Sequence, residues 1–145
     1  MREHHLGFYL KMTHEHFVSR KNRRLKRFGI TSSQMDVLIY LFHNDGRVIT
    51  QRDVEKHFGL THSTVIGIVK RLCEKGYILV EQSSYDRRQR NIRITEKALE
   101  IKDDMLDDRR RMNKIIEEKL GREEYDALLE GMKKFYGVLQ EDSDD

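Results

Sequence analysis

Apolar positions recur at Leu6, Leu10, Phe17, Leu25 and Phe28, a near-helical spacing that predicts one helix ending at Gly29. Three shorter helices are predicted next. Thr31-Ser32-Ser33-Gln34 has capping-box spacing, and its helix carries Met35, Val37, Leu38, Leu41 and Phe42 up to a stop at Asn44-Asp45-Gly46. Thr50-Gln51-Arg52-Asp53 repeats that signal in looser form, with Val54 and Phe58 apolar and Gly59 at the end. Thr61-His62-Ser63-Thr64 opens the third, which runs to Lys75-Gly76. Two helices joined by a short turn containing glycine form a helix-turn-helix. After Gly76 the period falls to two. Tyr77–Glu81 reads as a strand, 82–90 as a polar charged loop, and Asn91–Thr95 as the returning strand with Ile92 and Ile94 on one face. Thr95 is placed to cap a long helix reaching Leu120, with Ile101, Met105, Met112, Ile115 and Ile116 facing inward. Gly121 breaks it. A last helix carries Tyr125, Leu128, Leu129, Met132, Tyr136 and Leu139 as one stripe, and residues 141–145 form an acidic tail expected to fray.

A helix-turn-helix followed by a hairpin is a winged helix. The expected fold is therefore mainly α with a small β-hairpin wing, in a single domain over 1–145: the winged helix at 31–97, helices at 1–30 and 98–140 on either side, and the tail. The winged unit can bury its own core, whereas the flanking helices have apolar stripes left over. A second copy related by a two-fold axis is the simplest cover for them, so the flanking segments are expected to be dimerisation helices.

Composition sharpens this picture. The chain has 145 residues, no proline and 37% charged residues, against roughly 25% in an average domain. The net charge of +3 is segregated: +6 over residues 1–30, −2 over 31–46, +5 over 47–97 and −6 over 98–145. A basic front half is the electrostatic footprint expected of a polyanion binder. Part of it has a plainer account: the cluster Arg20, Lys21, Arg23, Arg24, Lys26 and Arg27 lies at a predicted helix C-terminus, where cations are favoured by the dipole. No apolar run approaches a membrane span and no apolar stretch follows the first residues, so no membrane partner, no signal peptide and a cytoplasmic location are expected.

Taking about 100° per residue, Val65, Ile68, Val69 and Leu72 fall on one face of the third short helix. Ser63, Gly67, Lys70 and Glu74 fall opposite, flanked by His62, Thr64, Ile66 and Arg71. An outward face of small, hydroxyl and cationic residues can enter a major groove, where Arg and Lys read guanine and Ser or Thr serve several base edges. The hairpin tip holds Asp86, Arg87, Arg88 and Arg90, and arginines suit the negative potential of a narrow A·T-rich minor groove. Asp86 is placed to pair with Arg88 and hold the tip in shape. The candidate contacts to double-stranded DNA are thus Thr61, His62, Ser63, Thr64, Gly67, Lys70 and Arg71 on the helix, with Asp86, Arg87, Arg88 and Arg90 on the wing.

Three stretches carry a family resemblance: Ile30-Thr31-Ser32-Ser33-Gln34-Met35-Asp36-Val37-Leu38; Leu60-Thr61-His62-Ser63-Thr64-Val65 with Arg71-Leu72-Cys73-Glu74-Lys75-Gly76-Tyr77-Ile78; and Asp86-Arg87-Arg88 with Ile92-Arg93-Ile94-Thr95. In this order and at these distances they resemble the multiple-antibiotic-resistance regulator (MarR) family of bacterial transcription factors. The resemblance implies a homodimer that binds a pseudo-palindromic operator, usually as a repressor, and is released by a small-molecule effector or an oxidant. It implies recognition-helix contacts at Ser63, Thr64, Gly67, Lys70 and Arg71, and a minor-groove contact at Arg88 braced by Asp86. Two departures stand out. Ile66 and Gly67 replace the larger polar residues of many relatives, and Ala98 replaces a glycine common after the wing.

Other chemistries find less support. His14 and His16 are two apart and fall on different sides of a helix, His4 and His5 lie near the chain start, His43 sits at a helix end, His57 and His62 belong to the DNA-binding unit, and no histidine pair at i, i+4 is backed by carboxylates in a recognisable pattern. No metal or other cofactor is expected. The single cysteine, Cys73, has Lys70 and Lys75 nearby, which would favour a thiolate, but a lone thiol beside an apolar stripe is more often a small apolar residue. Oxidation-sensing members of the family carry their cysteine in the first helix, where this chain has none. Tyr40, His43, His14 and Phe17 are candidates to gather around a ligand pocket, although no ligand can be named. Nucleophile elbow, P-loop, dinucleotide and zinc-protease motifs are all missing, so an enzyme is not expected. The rival readings are a winged-helix protein-interaction module and a metal or redox sensor built on the same fold.

Overall fold

In the computed structural model, which describes residues 5–141, the local signals in the chain become caps. Helix α1 spans Leu6–Leu25 and tightens into a 3-10 turn, Lys26–Phe28, before Gly29. Helix α2, Ser32–His43, opens on a complete capping box: Thr31 Oγ1 accepts the Gln34 N–H, and Gln34 Oε1 accepts the Thr31 N–H at 3.2 Å. Helix α3, Gln51–Phe58, repeats it with Thr50 and Asp53. Gly59, at φ 63°, ends α3 in the left-handed conformation that glycine adopts without steric penalty, and so turns the chain into α4, His62–Glu74.

The chain divides into two compact units, residues 1–103 and 104–145. In the first, Met35, Leu38, Val54, Val65, Ile68, Val69, Leu72, Ile78 and Ile92 form the core, so the apolar stripe expected on α4 is buried as a whole. Asn22 Oδ1 accepts the Ser32 N–H at 2.7 Å and Lys21 pairs with Asp36 at 2.7 Å, which ties α1 to α2. Two of the cluster's cations therefore have structural work: Lys21 in this ion pair, and Arg27 over the Phe28 ring at 4.5 Å.

The sheet differs from the expected hairpin. Strands β2, Ile78–Gln82, and β3, Arg90–Ile94, do pair antiparallel, but β1, Ile49–Thr50, adds to the other side of β3 in the order β1-β3-β2. Ile49 lies opposite Ile92 and Thr50 opposite Asn91, so the two residues before α3 staple the helix-turn-helix to the wing. Helix α5, Glu96–Leu120, is capped by Thr95, whose Oγ1 accepts the Ala98 N–H at 3.3 Å and donates to the Gly76 carbonyl at 2.6 Å. Ala98 is buried without strain in the helix.

The second unit holds the distal part of α5 and helix α6, Arg122–Glu141, joined at Gly121 with φ 87°. Met105 and Met112 on α5 are buried, and Ile101 and Ile116 are half-buried. Ile115 is exposed, contrary to its expected inward position, because it lies three residues past Met112 at the edge of the stripe. No residue of α6 is buried in the protomer, and Leu128, Leu129, Met132, Tyr136 and Leu139 are all exposed. His4 and the tail residues 142–145 lie outside the described residues.

Candidate nucleic-acid interface

The outward face of α4 is built by subtraction. With Val65, Ile68, Val69 and Leu72 in the core, His62, Ser63, Thr64, Lys70 and Arg71 are left exposed and Gly67 half-exposed between them. A Cβ added at Gly67 would meet no atom within 4 Å, so the missing side chain leaves a shallow place in the face that the fold itself does not fill. Ile66 is also exposed at its edge.

The first turn of α4 is more constrained than the sequence suggests. Thr61 Oγ1 accepts the Thr64 N–H at 3.3 Å and lies 3.3 Å from Ser63 Oγ and 2.8 Å from Thr64 Oγ1. Thr61 is thus a cap whose hydroxyl is engaged, while Ser63 and Thr64 keep further hydrogen-bonding capacity. His62 Nδ1 lies 2.5 Å from Glu55 Oε1 of α3, a cross-helix pair that sequence spacing gave no reason to expect.

The wing is preformed. The Ser83 N–H donates to the Gln89 carbonyl at 2.9 Å and the Gln89 N–H to the Asp86 carbonyl at 3.0 Å, closing a tight turn. The buried Ser83 hydroxyl oxygen accepts the Tyr85 and Asp86 N–H groups, and Gln82 Nε2 donates to the Arg87 carbonyl at 2.9 Å. Asp86 does hold the tip, but not by the side-chain pair expected: its Oδ1 accepts the backbone N–H of Arg88 at 2.9 Å. This is an Asx-type turn, in which a short carboxylate reaches the backbone two residues on. Arg87, Arg88 and Arg90 are exposed, and Tyr85 beside them is 100% exposed. Sequence reasoning passed over Gln82, Ser83 and Tyr85. The run of Ser and Asp residues, typical of side-chain-capped turns, was the available signal.

The proposed gathering of Tyr40, His43, His14 and Phe17 does not form. Tyr40 instead stacks on His57 at 4.2 Å with Phe58 edge-on at 5.8 Å, while His14 borders a groove lined by α1 and its 3-10 extension alone. Burial, aided by Asp53, raises the Tyr40 pKa and keeps the phenol neutral. A cavity of about 440 Å³ opens instead at the base of the wing, lined by Arg47, Ile49, Glu81, Asn91 and Arg93 among others. Cys73 is half-buried, and burial followed by the Glu74 carboxylate pushes its thiol pKa up. The two lysines therefore do not create the thiolate their proximity in sequence suggested. Among the described residues no three His, Cys, Asp or Glu side chains gather to hold a metal ion, and no helix is long and apolar enough to cross a membrane.

A capped helix-turn-helix, its second helix exposed along one face, with a three-stranded sheet ending in a basic loop, defines the winged-helix class. The MarR family model matches residues 28–89. Over most of its length the chain is similar in structure to a MepR–DNA complex from S. aureus, with 22% identity, a TM-score of 0.83, and 96% of this chain and 99% of that one covered. It is also similar to a MarR protein from Peptoclostridium difficile DA00132, with 16% identity, a TM-score of 0.86, and 98% and 92% covered. The transcription regulator MarR from Oenococcus oeni PSU-1 is 26% identical at a TM-score of 0.73, with 92% and 99% covered. No curated protein sequence matches. The chain as a whole has the winged-helix fold of these MarR-family regulators, and residues 28–89 are the part that matches the family's sequence pattern.

Proposed function

We propose that this protein is a sequence-specific regulator of transcription that binds double-stranded DNA as a homodimer, acts as a repressor, and leaves its operator when a small-molecule effector binds. The observation that carries the reading is the pairing of two prepared surfaces in one unit: the small and cationic face of α4, and a wing whose backbone is fixed before any partner arrives. Ser63, Thr64, Gly67, Lys70 and Arg71 are assigned to the major groove. Arg87, Arg88 and Arg90 are assigned to the flanking minor groove or its phosphates, and Asp86 shapes the loop that carries them. That one neighbour in structure is a MepR–DNA complex supports the assignment. In a dimer the two α4 helices would read half-sites roughly 34–36 Å apart, one turn of duplex. The exposed α6 stripe supports self-association. The protein-interaction reading is disfavoured by the α4 face, which is polar and charged except at Ile66.

The test is selection of genomic fragments by the purified chain, followed by anisotropy titration over a salt series. Each phosphate contact adds ~0.9 to the slope of log K against log salt. The expected result is a steep slope, a palindromic consensus, and a complex containing two protomers. A monomer that ignores every duplex would refute the proposal.

A further inference from the structure

The pair formed by His62 and Glu55 has a consequence that rests on the DNA-binding reading above. The His62 side chain is 70% exposed and that of Glu55 20%, so the carboxylate is set back in α3 while the ring stands forward of it. With Nδ1 turned to Glu55 Oε1, the Nδ1 proton is the one shared with the carboxylate, and Nε2 becomes the outward atom. The contact also fixes where that atom lies. His62 is on the flank of α4 that meets α3, away from the Ser63, Gly67 and Lys70 face. In a docked helix-turn-helix the second helix enters the groove and the first crosses the sugar-phosphate backbone. A group at the seam between the two helices therefore meets a phosphate rather than a base edge.

We propose that His62 is a phosphate-contacting residue held between two anions, the Glu55 carboxylate and a DNA phosphate, so that binding takes up at most one proton per engaged protomer. A neutral imidazole has one N–H. If that hydrogen is given to Glu55, Nε2 presents a lone pair to the phosphate oxygen, which is repulsive. Both acceptors are satisfied only when the ring holds both protons, the second drawn from solvent. Asp53 of α3 is turned to the Thr50 N–H, Arg52 and Lys56 of α3 are exposed, and Thr61 and Ser63 beside the ring are uncharged. Glu55 acts as a positioning residue.

The sign follows from linkage. The complex favours protonated His62, so affinity is fully present at low pH and is lost as pH rises through the histidine range, by at most about tenfold per unit per protomer. The experiment is anisotropy titration of the full chain on a selected duplex from pH 6 to 8, with calorimetry in two buffers of different ionisation heat to count protons. Wild type is expected to weaken with pH and to take up a proton. His62→Gln places its amide near the Nε2 position and should bind with a flat profile. His62→Asn reaches only as far as Nδ1 and should be both flat and weaker at every pH. Glu55→Gln, which removes one of the two anions, should reduce the proton uptake counted by calorimetry. A pH profile that persists in His62→Gln, an undiminished proton uptake in Glu55→Gln, or His62→Asn binding as well as His62→Gln each overturns the inference. Wild-type binding with no pH dependence overturns it and leaves the DNA-binding proposal standing. Failure of wild type to bind any duplex removes both.

Discussion

Replacing Gly67 separates what the fold needs from what a groove needs. The residue lies inside α4, is absent from the glycines with positive φ, and would have no atom within 4 Å of an added Cβ. Nothing in the protomer requires glycine here. A glycine in a helix interior costs ~0.5–1 kcal/mol relative to alanine, through backbone entropy. Gly67→Ala should therefore stabilise the chain by about that amount, which for a domain of this size raises the melting temperature by roughly 1–4 °C. Gly67→Leu should also fold at least as well as wild type, since its side chain projects into open space. On DNA the two variants should part. A leucine at the centre of the outward face holds α4 off the groove floor and should weaken binding about tenfold or more, ~1.4 kcal/mol, whereas alanine should be tolerated far better. Thermal melts by circular dichroism and anisotropy titrations on one duplex give both readings. If Gly67→Ala lowers the melting temperature, the face is packed and the account of α4 is wrong. If Gly67→Leu binds as tightly as wild type, this face does not enter the groove.

Three further outcomes are expected. Arg88→Ala should weaken binding by about 1–2 kcal/mol, most on sites flanked by A·T pairs; equal affinity on such sites, measured by gel shift, removes the wing contact. Gln34 is 2% exposed and accepts both the Thr31 N–H and, at 2.7 Å, the Lys75 ammonium. Gln34→Ala should cost about 2 kcal/mol by denaturant titration, since it removes half the capping box and leaves a cation without its partner; a loss near zero would show the network is unimportant. Because burial raises the Cys73 pKa, its thiolate fraction at pH 7–8 should be below that of an unperturbed cysteine. Alkylation by iodoacetamide should be slow and should quicken only at higher pH, and peroxide should leave DNA binding unchanged; a fast-reacting thiol would reverse that reading.

What could be read from the sequence was local. Thr31 with Gln34 and Thr50 with Asp53 are three residues apart, and both become full capping boxes. The stripe Val65, Ile68, Val69, Leu72 needs only the helical period to be seen, and it is the buried face. The features that escaped depend on how distant segments meet. Strand β1 is two residues long and exists because Ile49 finds Ile92 on β3, a pairing without a local signature. Helical position offers Tyr40 to residues of its own helix and the first, yet the packing of α2 against α3 sets it on His57. Opposite charge offers Asp86 an arginine side chain, but a side chain this short reaches the backbone N–H of Arg88 first. The Glu55–His62 contact depends on the angle between α3 and α4, which no sequence pattern encodes.

The α6 helix is where sequence and protomer diverge most, and the divergence bears on the proposed self-association. Its stripe is the cleanest in the chain, with Tyr125, Met132 and Leu139 seven residues apart and Leu128 and Tyr136 between them. A heptad spacing of apolar residues matches a helix packed against another helix, in the manner of knobs and holes. Yet Leu128, Met132, Tyr136 and Leu139 stay 53%, 46%, 63% and 49% exposed. A period this regular has no use on a solvated surface, where several neighbouring large apolar side chains promote aggregation rather than stability. Helix propensity does not account for it either, since the charged residues of the opposite face would serve that purpose as well. The stripe makes sense as one half of an interface, which supports the proposed two-fold assembly and also locates a test of it. Leu128→Glu or Met132→Glu should leave the chain folded, because both side chains are exposed, but should shift sedimentation from dimer to monomer. Operator affinity should then fall steeply, since one α4 would have to hold the site without its partner. A dimer that survives Leu128→Glu and Met132→Glu together would mean that this stripe is not the interface.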